Sequence, residues 1–375
     1  HLPGKTLPEA YAILNPKQAN CSYPFKDLCG CGIGFKLINA LTLERGGAVD
    51  QIIPYMDLVA MAIAADMVPM VGENRVLTYF GIQQIRENPR LGIRFFIKEL
   101  KRKINVSDLV FVIAPRINGA GRINHGSHAV ALLLSEDPDE TLSRARAIEF
   151  YNSERKELDQ KITIQALDQI EQNQEEELNS TVVYQPDWHK GVLGIVASRL
   201  IETYYRPTIV FTASGEYYTG SVRSVKGFDI YQILETCREH IVQFGGHRYA
   251  AGLTIRPEEY LSFKKAFELA VAKSIKPEEL IPTSSYDLEM TFDKITPKFY
   301  RIMAQMAPFG PGNLRPVFLT KDCLDAGGSK VIGTDQSHLK LYVTDDSTST
   351  LPGIGFGMSN HIIKIKSRNP FQILY

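Results

Sequence analysis

The sequence predicts an α/β protein of several domains, and three features carry that expectation. Between Pro24 and Ile97, apolar helical stretches alternate with short strand-like pieces, the pattern of a mixed α/β layer. From Pro138 to Pro186 the chain holds no Gly or Pro in between, so a long helix can run through it and link two domains. Roughly the last hundred residues break into short strand candidates, as a small β-barrel does.

Taken in order, Cys31–Leu41 and Met56–Ala65 are the clearest apolar pieces of the first part. In the central run Ile148, Tyr151, Leu158, Ile162, Ala166 and Ile170 recur at helical spacing, with Asp139 or a neighbour as N-cap after Pro138. Arg155 falls on the same stripe, which calls for a polar partner there. Thr181–Gln185, Thr208–Thr212 and Tyr217–Val222 read as strands, with Val192–Tyr204 as a helix between the first two, so a second α/β domain follows. Tyr286, Leu288, Met290 and Phe292 alternate with Asp287, Glu289 and Thr291, a half-buried strand suited to an antiparallel sheet. Val317–Thr320, Leu339–Val343 and Leu351–Phe356 complete the expected barrel. The expected divisions are 1–137, a connecting helix over 138–178, then 179–276 and 277–375.

With 375 residues, 44% hydrophobic and 22% charged, the chain can bury sizeable cores. Its 42 basic and 42 acidic residues balance, so net charge does not announce a nucleic-acid binder. Arg86, Arg90, Arg94, Lys98, Lys101, Arg102 and Lys103 crowd one stretch expected to be helical, either a solvated face or a stripe for a phosphate backbone. Cysteines at 21, 29, 31, 237 and 323 suggest reduced thiols and a cytoplasmic protein. Cys29-Gly30-Cys31 has no second pair at ligand spacing to complete a zinc site. No run of eighteen apolar residues and no signal segment indicates a membrane or secretion. The chain opens on His1 and stops inside the strand-like Phe371–Tyr375, so a fragment of a longer protein is expected.

Four segments could carry chemistry. Residues 245–252 read Gly-Gly-His-Arg-Tyr-Ala-Ala-Gly. A Gly-Gly step permits positive φ angles and an anion-holding nest of amides, with His247 beside the anion. The same residues also suit a plain tight turn with an ordinary histidine. Asp66 closes an apolar segment just ahead of Pro69, where it is either a cap or turn aspartate or a carboxylate awaiting a divalent metal. Ala114–Arg122 reads as a second glycine-containing loop, and Arg116, Asn118 and Arg122 there suit phosphate or mere surface. Gly220–Ser224 would place Ser221 and Arg223 at a strand end, and a serine nucleophile there lacks the Gly-x-Ser-x-Gly elbow.

The eight residues at 245–252 match the signature of the DHH-associated domain of DHH-family phosphoesterases, and the chain resembles the RecJ branch of that family. Leu58–Met70 is similar to the segment whose aspartate binds a catalytic Mn²⁺ or Mg²⁺, which puts Asp66 in that role. The opening His-Leu-Pro-Gly resembles the end of the Asp-His-His motif, so His1 would be its final histidine and a metal-site residue. Pro115–Arg122 resembles a stretch near the active site, and Gly220–Ser224 a phosphate- and strand-contacting element; both imply substrate contacts at Arg116, Asn118, Arg122, Ser221 and Arg223. Asp187–Ala197 resembles the opening of the associated domain, and Phe309–Asn313 with Arg315 and Pro316 the start of an OB-like barrel. The resemblance implies a two-metal, 5′ to 3′ exonuclease on single-stranded DNA, acting in repair and recombination with a helicase and single-strand-binding protein as partners. It implies that Gly245, Gly246 and His247 hold the phosphate, that the remaining metal ligands precede residue 1, and that the fragment alone is inactive. A monomer is expected. The alternatives are a short-oligonucleotide or cyclic-dinucleotide phosphodiesterase of the same family, and a non-catalytic nucleic-acid-binding scaffold.

Overall fold

The structure is a computed structural model and describes residues 3, 6–98, 100, 102–347 and 349–375. Helices α1 (Gly30–Glu44), α2 (Met56–Ala65) and α3 (Gly72–Glu87) pack around Phe35, Val59, Ile63 and Leu77. No strand occurs before residue 181 among the described residues, which corrects the strands expected between Pro24 and Ile97. Between α1 and α2 the chain makes 3-10 turns at Val49–Gln51 and Ile53–Tyr55. Gly81 lets α3 approach α2 closely, since a Cβ there would stand 2.5 Å from Ala60 Cβ. Helix α2 ends at Asp66, where Met67 turns left-handed with φ 53 ahead of Pro69.

The predicted basic helix is two separate pieces, because α3 ends at Glu87 before Pro89 and α4 (Leu91–Ile97) starts afresh. Arg86 donates to the Ile104 carbonyl at 2.6 Å, Arg90 to the Leu133 carbonyl at 3.2 Å, and Arg102 to Asp108 at 2.7 Å. These guanidiniums tie loops internally rather than lining one face. Lys101 lies outside the described residues.

After α5 (Val106–Asp108) and a π-helical turn over Leu109–Ile113 comes α6 (Ala114–Ile123), so the segment expected as a glycine-containing loop is helical. Pro115 sits in its first turn, where its missing N–H leaves no bond unmade, and Gly119 packs against the backbone of Asn152. Helix α7 (Ser127–Leu134) precedes α8 (Pro138–Gln172), which at 35 residues is about 50 Å long. The cap of α8 is Asp137, one position before Pro138, accepting from the Glu140 N–H at 2.7 Å. Of the predicted stripe, Ile148, Ile162, Ala166 and Ile170 are buried and Tyr151 and Leu158 are half-buried; Ala145 joins the buried face.

A five-stranded sheet follows, made of β1 (Thr181–Tyr184), β2 (Thr208–Ser214), β3 (Tyr217–Arg223), β4 (Gln243–His247) and β5 (Ala250–Ile255) in the order β1-β2-β3-β5-β4. β1 and β2 are parallel, joined through α9 (Leu193–Tyr204); the other pairs are antiparallel. One face packs Ile209, Phe211, Val222, Leu253 and Ile255 with α10 (Ile230–Thr236) and α11 (Tyr260–Ser274). The other packs Val183 and Val210 with Ile162 and Ile170 of α8 and Val196 and Leu200 of α9.

The last part contains β6 (Leu288–Glu289), α12 (Pro297–Gln305), β7 (Phe318–Asp325), β8 (Lys330–Ile332), β9 (His338–Thr344), β10 (Thr350–Gly355), α13 (Ile362–Lys366) and β11 (Phe371–Leu374). Its sheet runs β10-β9-β7-β11, with β6 beside β7 and β8 beside β9, and the described residues do not close it into a barrel. The strand expected over Tyr286–Phe292 shrinks to two residues parallel to β7. Met290 and Phe292 are buried, but Tyr286 and Leu288 stay exposed because nothing among the described residues covers that edge.

Two compact units result: 1–89 with 101–110 and 284–375, and 90–100 with 111–283. Among the described residues no helix is long and apolar enough to cross a membrane.

Candidate functional site

Residues 245–252 form a hairpin, not a Gly-Gly turn. Gly245 pairs with Gly252, Gly246 with Ala251 and His247 with Ala250, which leaves Arg248 and Tyr249 to make the turn. The register extends into β3, where Ser221 pairs with Gly252 and Arg223 with Ala250. Side chains alternate across a sheet, so Val222 and Ala251 enter the core while Ser221, Arg223, Gly252, Gly245 and His247 share the opposite face.

The two glycines of the pair are glycine for different reasons. Gly246 is required by packing, since a Cβ there would meet the Ala250 carbonyl and lie 2.5 Å from Ala251 Cα. Around Gly245 a Cβ would find nothing within 4 Å, and at Gly252 only the Gly220 carbonyl at 3.9 Å. Neither packing nor a left-handed φ demands glycine at 245 and 252. What their bareness leaves is a flat strip of backbone beside Ser221, open to a ligand.

Arg223 borders this strip. It donates from Nη1 to Ser221 Oγ at 3.2 Å and to the Val222 carbonyl at 2.8 Å, and its Nη2 lies over the first turn of α9 at Gly194. No side chain caps that helix N-terminus, so its positive pole adds to the arginine. Arg122, at the end of α6, donates to the Gly191 carbonyl at 3.0 Å. Burial lowers the pKa of Arg223, and the charge of Arg122 lowers it further. Among the described residues no carboxylate pairs with Arg122 or Arg223. Two neighbouring cations without a counter-ion, beside an uncapped helix terminus, make a place where an anion is stabilised.

Behind them two more guanidiniums, Arg155 and Arg199, share a single carboxylate, Asp159. Arg155, the odd residue on the α8 stripe, meets Asp159 at 3.1 Å and Asn152 at 3.2 Å on its own helix. Asp159, with no exposed surface, also lies 2.7 Å from Arg199 of α9, a close ion contact outside aligned hydrogen-bond geometry. Burial lowers the Arg155 pKa, Asp159 opposes this, and the charges of Arg122 and Arg199 reinforce it. The spacing of 155 and 159, four apart on a helix, was the sequence signal for this pair.

The other predicted positions are dispersed. Arg116 is bound to Glu149 at 2.6 Å and to the Val112 carbonyl at 2.6 Å, and lies over the ring of Phe96. Asn118 is exposed on α6, and His247 is exposed at the end of β4 on the same face as Arg223. Trp188 is buried, its indole N–H donating to Gln165 at 2.9 Å, and so works as packing. Gly191 and Gly194 make room for Arg122 and Arg223.

Asp66 belongs to the other unit. Its backbone closes α2 by donating to the Ala62 carbonyl at 2.9 Å, and its exposed carboxylate has no hydrogen bond or ion pair among the described residues. A carboxylate at the negative end of a helix is disfavoured by the helix dipole, and a cation would relieve it. The described residues offer one ligand and not a set, because no three His, Cys, Asp or Glu side chains converge among them. Cys29 instead caps α1, its Sγ accepting from the Gly32 N–H at 3.4 Å. His1 lies outside the described residues.

Comparison with known proteins matches residues 177–273 to the DHHA1 domain and 286–375 to the RecJ OB domain. The single-stranded-DNA-specific exonuclease RecJ of Bacillus subtilis (strain 168) is 36% identical over 361 residues, which is 95% of this chain and 45% of that protein. The protein of the same name from Haemophilus influenzae is 35% identical over 397 residues, covering 100% of this chain and 68% of its own length. The crystal structure of RecJ in complex with Mn²⁺ from Thermus thermophilus superposes with a TM-score of 0.81 at 26% identity, over 94% of this chain and 51% of that one. The chain thus spans about half to two thirds of the relatives it matches.

Proposed function

The chain belongs to the RecJ family, and from that premise we propose that the polypeptide carrying it hydrolyses single-stranded DNA from the 5′ end. The observation that carries this reading is the Arg122 and Arg223 pair, uncompensated by carboxylates among the described residues and set beside the bare backbone at Gly245 and Gly252. A phosphate would accept from Arg223 and Ser221, with the N-terminus of α9 and Arg122 adding charge. Gly245 and Gly252 let the strand lie close to the sheet, and His247 stands on the same face to donate to a phosphate oxygen. Because these groups are held by backbone carbonyls and glycine contacts, they need little rearrangement as charge develops on the phosphate.

Asp66 is proposed as one ligand of a divalent metal site, Mn²⁺ or Mg²⁺. Two such ions, when bound, would activate water and stabilise the leaving oxygen. The chain alone should bind single strands weakly and in a salt-sensitive way, without nuclease activity.

The test uses a family-length polypeptide carrying this chain, end-labelled single strands and Mn²⁺. Degradation from the 5′ end that falls sharply in Arg223→Ala and Asp66→Ala supports the reading. Undiminished activity in both variants sinks it, and a strong preference for dinucleotides over long strands would point instead to a short-oligonucleotide phosphodiesterase.

A further inference from the structure

The turn that carries Asp66 is gripped by a loop from the distant part of its own unit. The Met70 N–H donates to the Pro311 carbonyl at 2.5 Å. Gly310 faces Met70 so closely that a Cβ would stand 3.0 Å from Met70 Cβ, and Gly312, at φ +77, would place one 3.2 Å from Val71 Cγ1. The loop braces itself: Gly310 and Asn313 exchange backbone hydrogen bonds at 3.0 and 2.9 Å. Asn313 Nδ2 also donates to the carbonyls of Met306 at 3.0 Å and Pro308 at 2.8 Å. Arg75 of α3 donates to the same Met306 carbonyl at 2.9 Å.

The opposite side of the turn is fixed as well. Buried Asn74 donates to the Pro69 carbonyl at 3.0 Å and the Asp27 carbonyl at 2.8 Å, and Gly72, at φ +50, lies against the Phe25 ring. The Asp66 carboxylate makes no bond of its own among the described residues, so its position is decided by the backbone of residues 66–72. That backbone is held between Asn74 and the Phe309–Asn313 loop.

We propose that Phe309–Asn313, with Asn313 as its brace, is a positioning element for Asp66. The stretch matched to the RecJ OB domain would then tune the metal site directly, apart from any contact with DNA. The inference rests on the proposed reading of Asp66 as a metal ligand. Its physical basis is that groups behind a metal ligand set the ligand's orientation and thereby the affinity for the ion.

The experiment measures Mn²⁺ affinity by electron paramagnetic resonance, and amide exchange over residues 66–71 by mass spectrometry, in the family-length polypeptide. Asn313→Ala should weaken Mn²⁺ binding about tenfold and speed exchange at Met70. Exchange in α8 and single-strand binding in chelator should stay unchanged. Gly312→Ala should shift both readouts the same way by less, and it decides the matter alone if Asn313→Ala loses its cooperative melt. Mn²⁺ affinity within about twofold of the parent in the folded variants overturns the proposal. Asp66→Asn is measured beside them. Parent-like Mn²⁺ binding there sinks the ligand reading itself, whereas a loss there with parent-like loop variants sinks only the positioning role.

Discussion

Arg223 reaches over α9 only because residue 194 is glycine: a Cβ there would stand 2.6 Å from Arg223 Nη2 and 3.0 Å from Ser221 Oγ. The helix is thereby made a poorer helix at its first turn so that a guanidinium can lie across it.

Gly194→Ala therefore separates stability from binding. Alanine favours the helix by up to about 1 kcal/mol, so thermal melting should hold or rise. The displaced Arg223 should weaken single-strand binding about tenfold by fluorescence anisotropy, the size expected for one charged hydrogen-bonding group. A variant that binds like the parent removes Arg223 from the site.

Arg223→Ala should lower affinity for all single strands alike and reduce the slope of log affinity against log salt by about one. Arg223→Lys should recover part of the affinity, since the charge returns without the fork. An unchanged salt slope in Arg223→Ala would mean that Arg223 meets no phosphate.

The glycine pair should divide its effects. Gly246→Ala drives a Cβ into the backbone of Ala250 and Ala251 and should cost about 1–3 kcal/mol in denaturant unfolding. Gly245→Ala meets nothing and should stay within about 0.5 kcal/mol of the parent. Gly245→Val should nonetheless weaken single-strand binding by crowding the open strip. Equal stability losses in the two alanine variants would contradict the observed register.

Arg206 offers a stability test away from the site. It is buried and donates to the carbonyls of Glu175, Glu176 and Leu178 and to Thr181 Oγ1, so it holds the segment between α8 and β1. Burial lowers its pKa, with the carboxylate of Glu268 opposing. Arg206→Met leaves those acceptors unmatched and should cost about 3 kcal/mol or more in urea unfolding. A loss below about 1 kcal/mol would show that water replaces the guanidinium.

Much of this was legible in the sequence because it is local. The α8 stripe, the start of α8 at Pro138 and the strands around 181–223 follow from short-range periodicity and backbone chemistry, whereas the break at Pro89 was missed when residues 86–103 were read as one helical stretch. The string at 245–252 identified the family, and Arg155 announced a polar partner that proved to be Asp159, one turn along the same helix. The strands expected between Pro24 and Ile97 did not form, because short apolar pieces do not distinguish strand from helix or turn.

Strand register was not legible, and register decides the site. It is pairing with β5 that sets Gly246 against the backbone of Ala250 and Ala251 and leaves Gly245 open on the face of Ser221; a slip of one residue would exchange them. The sequence by itself determined the family, the segments and the glycines and arginines that matter. The tertiary structure alone decided that Arg116 is taken by Glu149 while Arg122 and Arg223 stay unpaired among the described residues, because a charge is free or spent according to neighbours that the fold, and not the chain order, brings beside it.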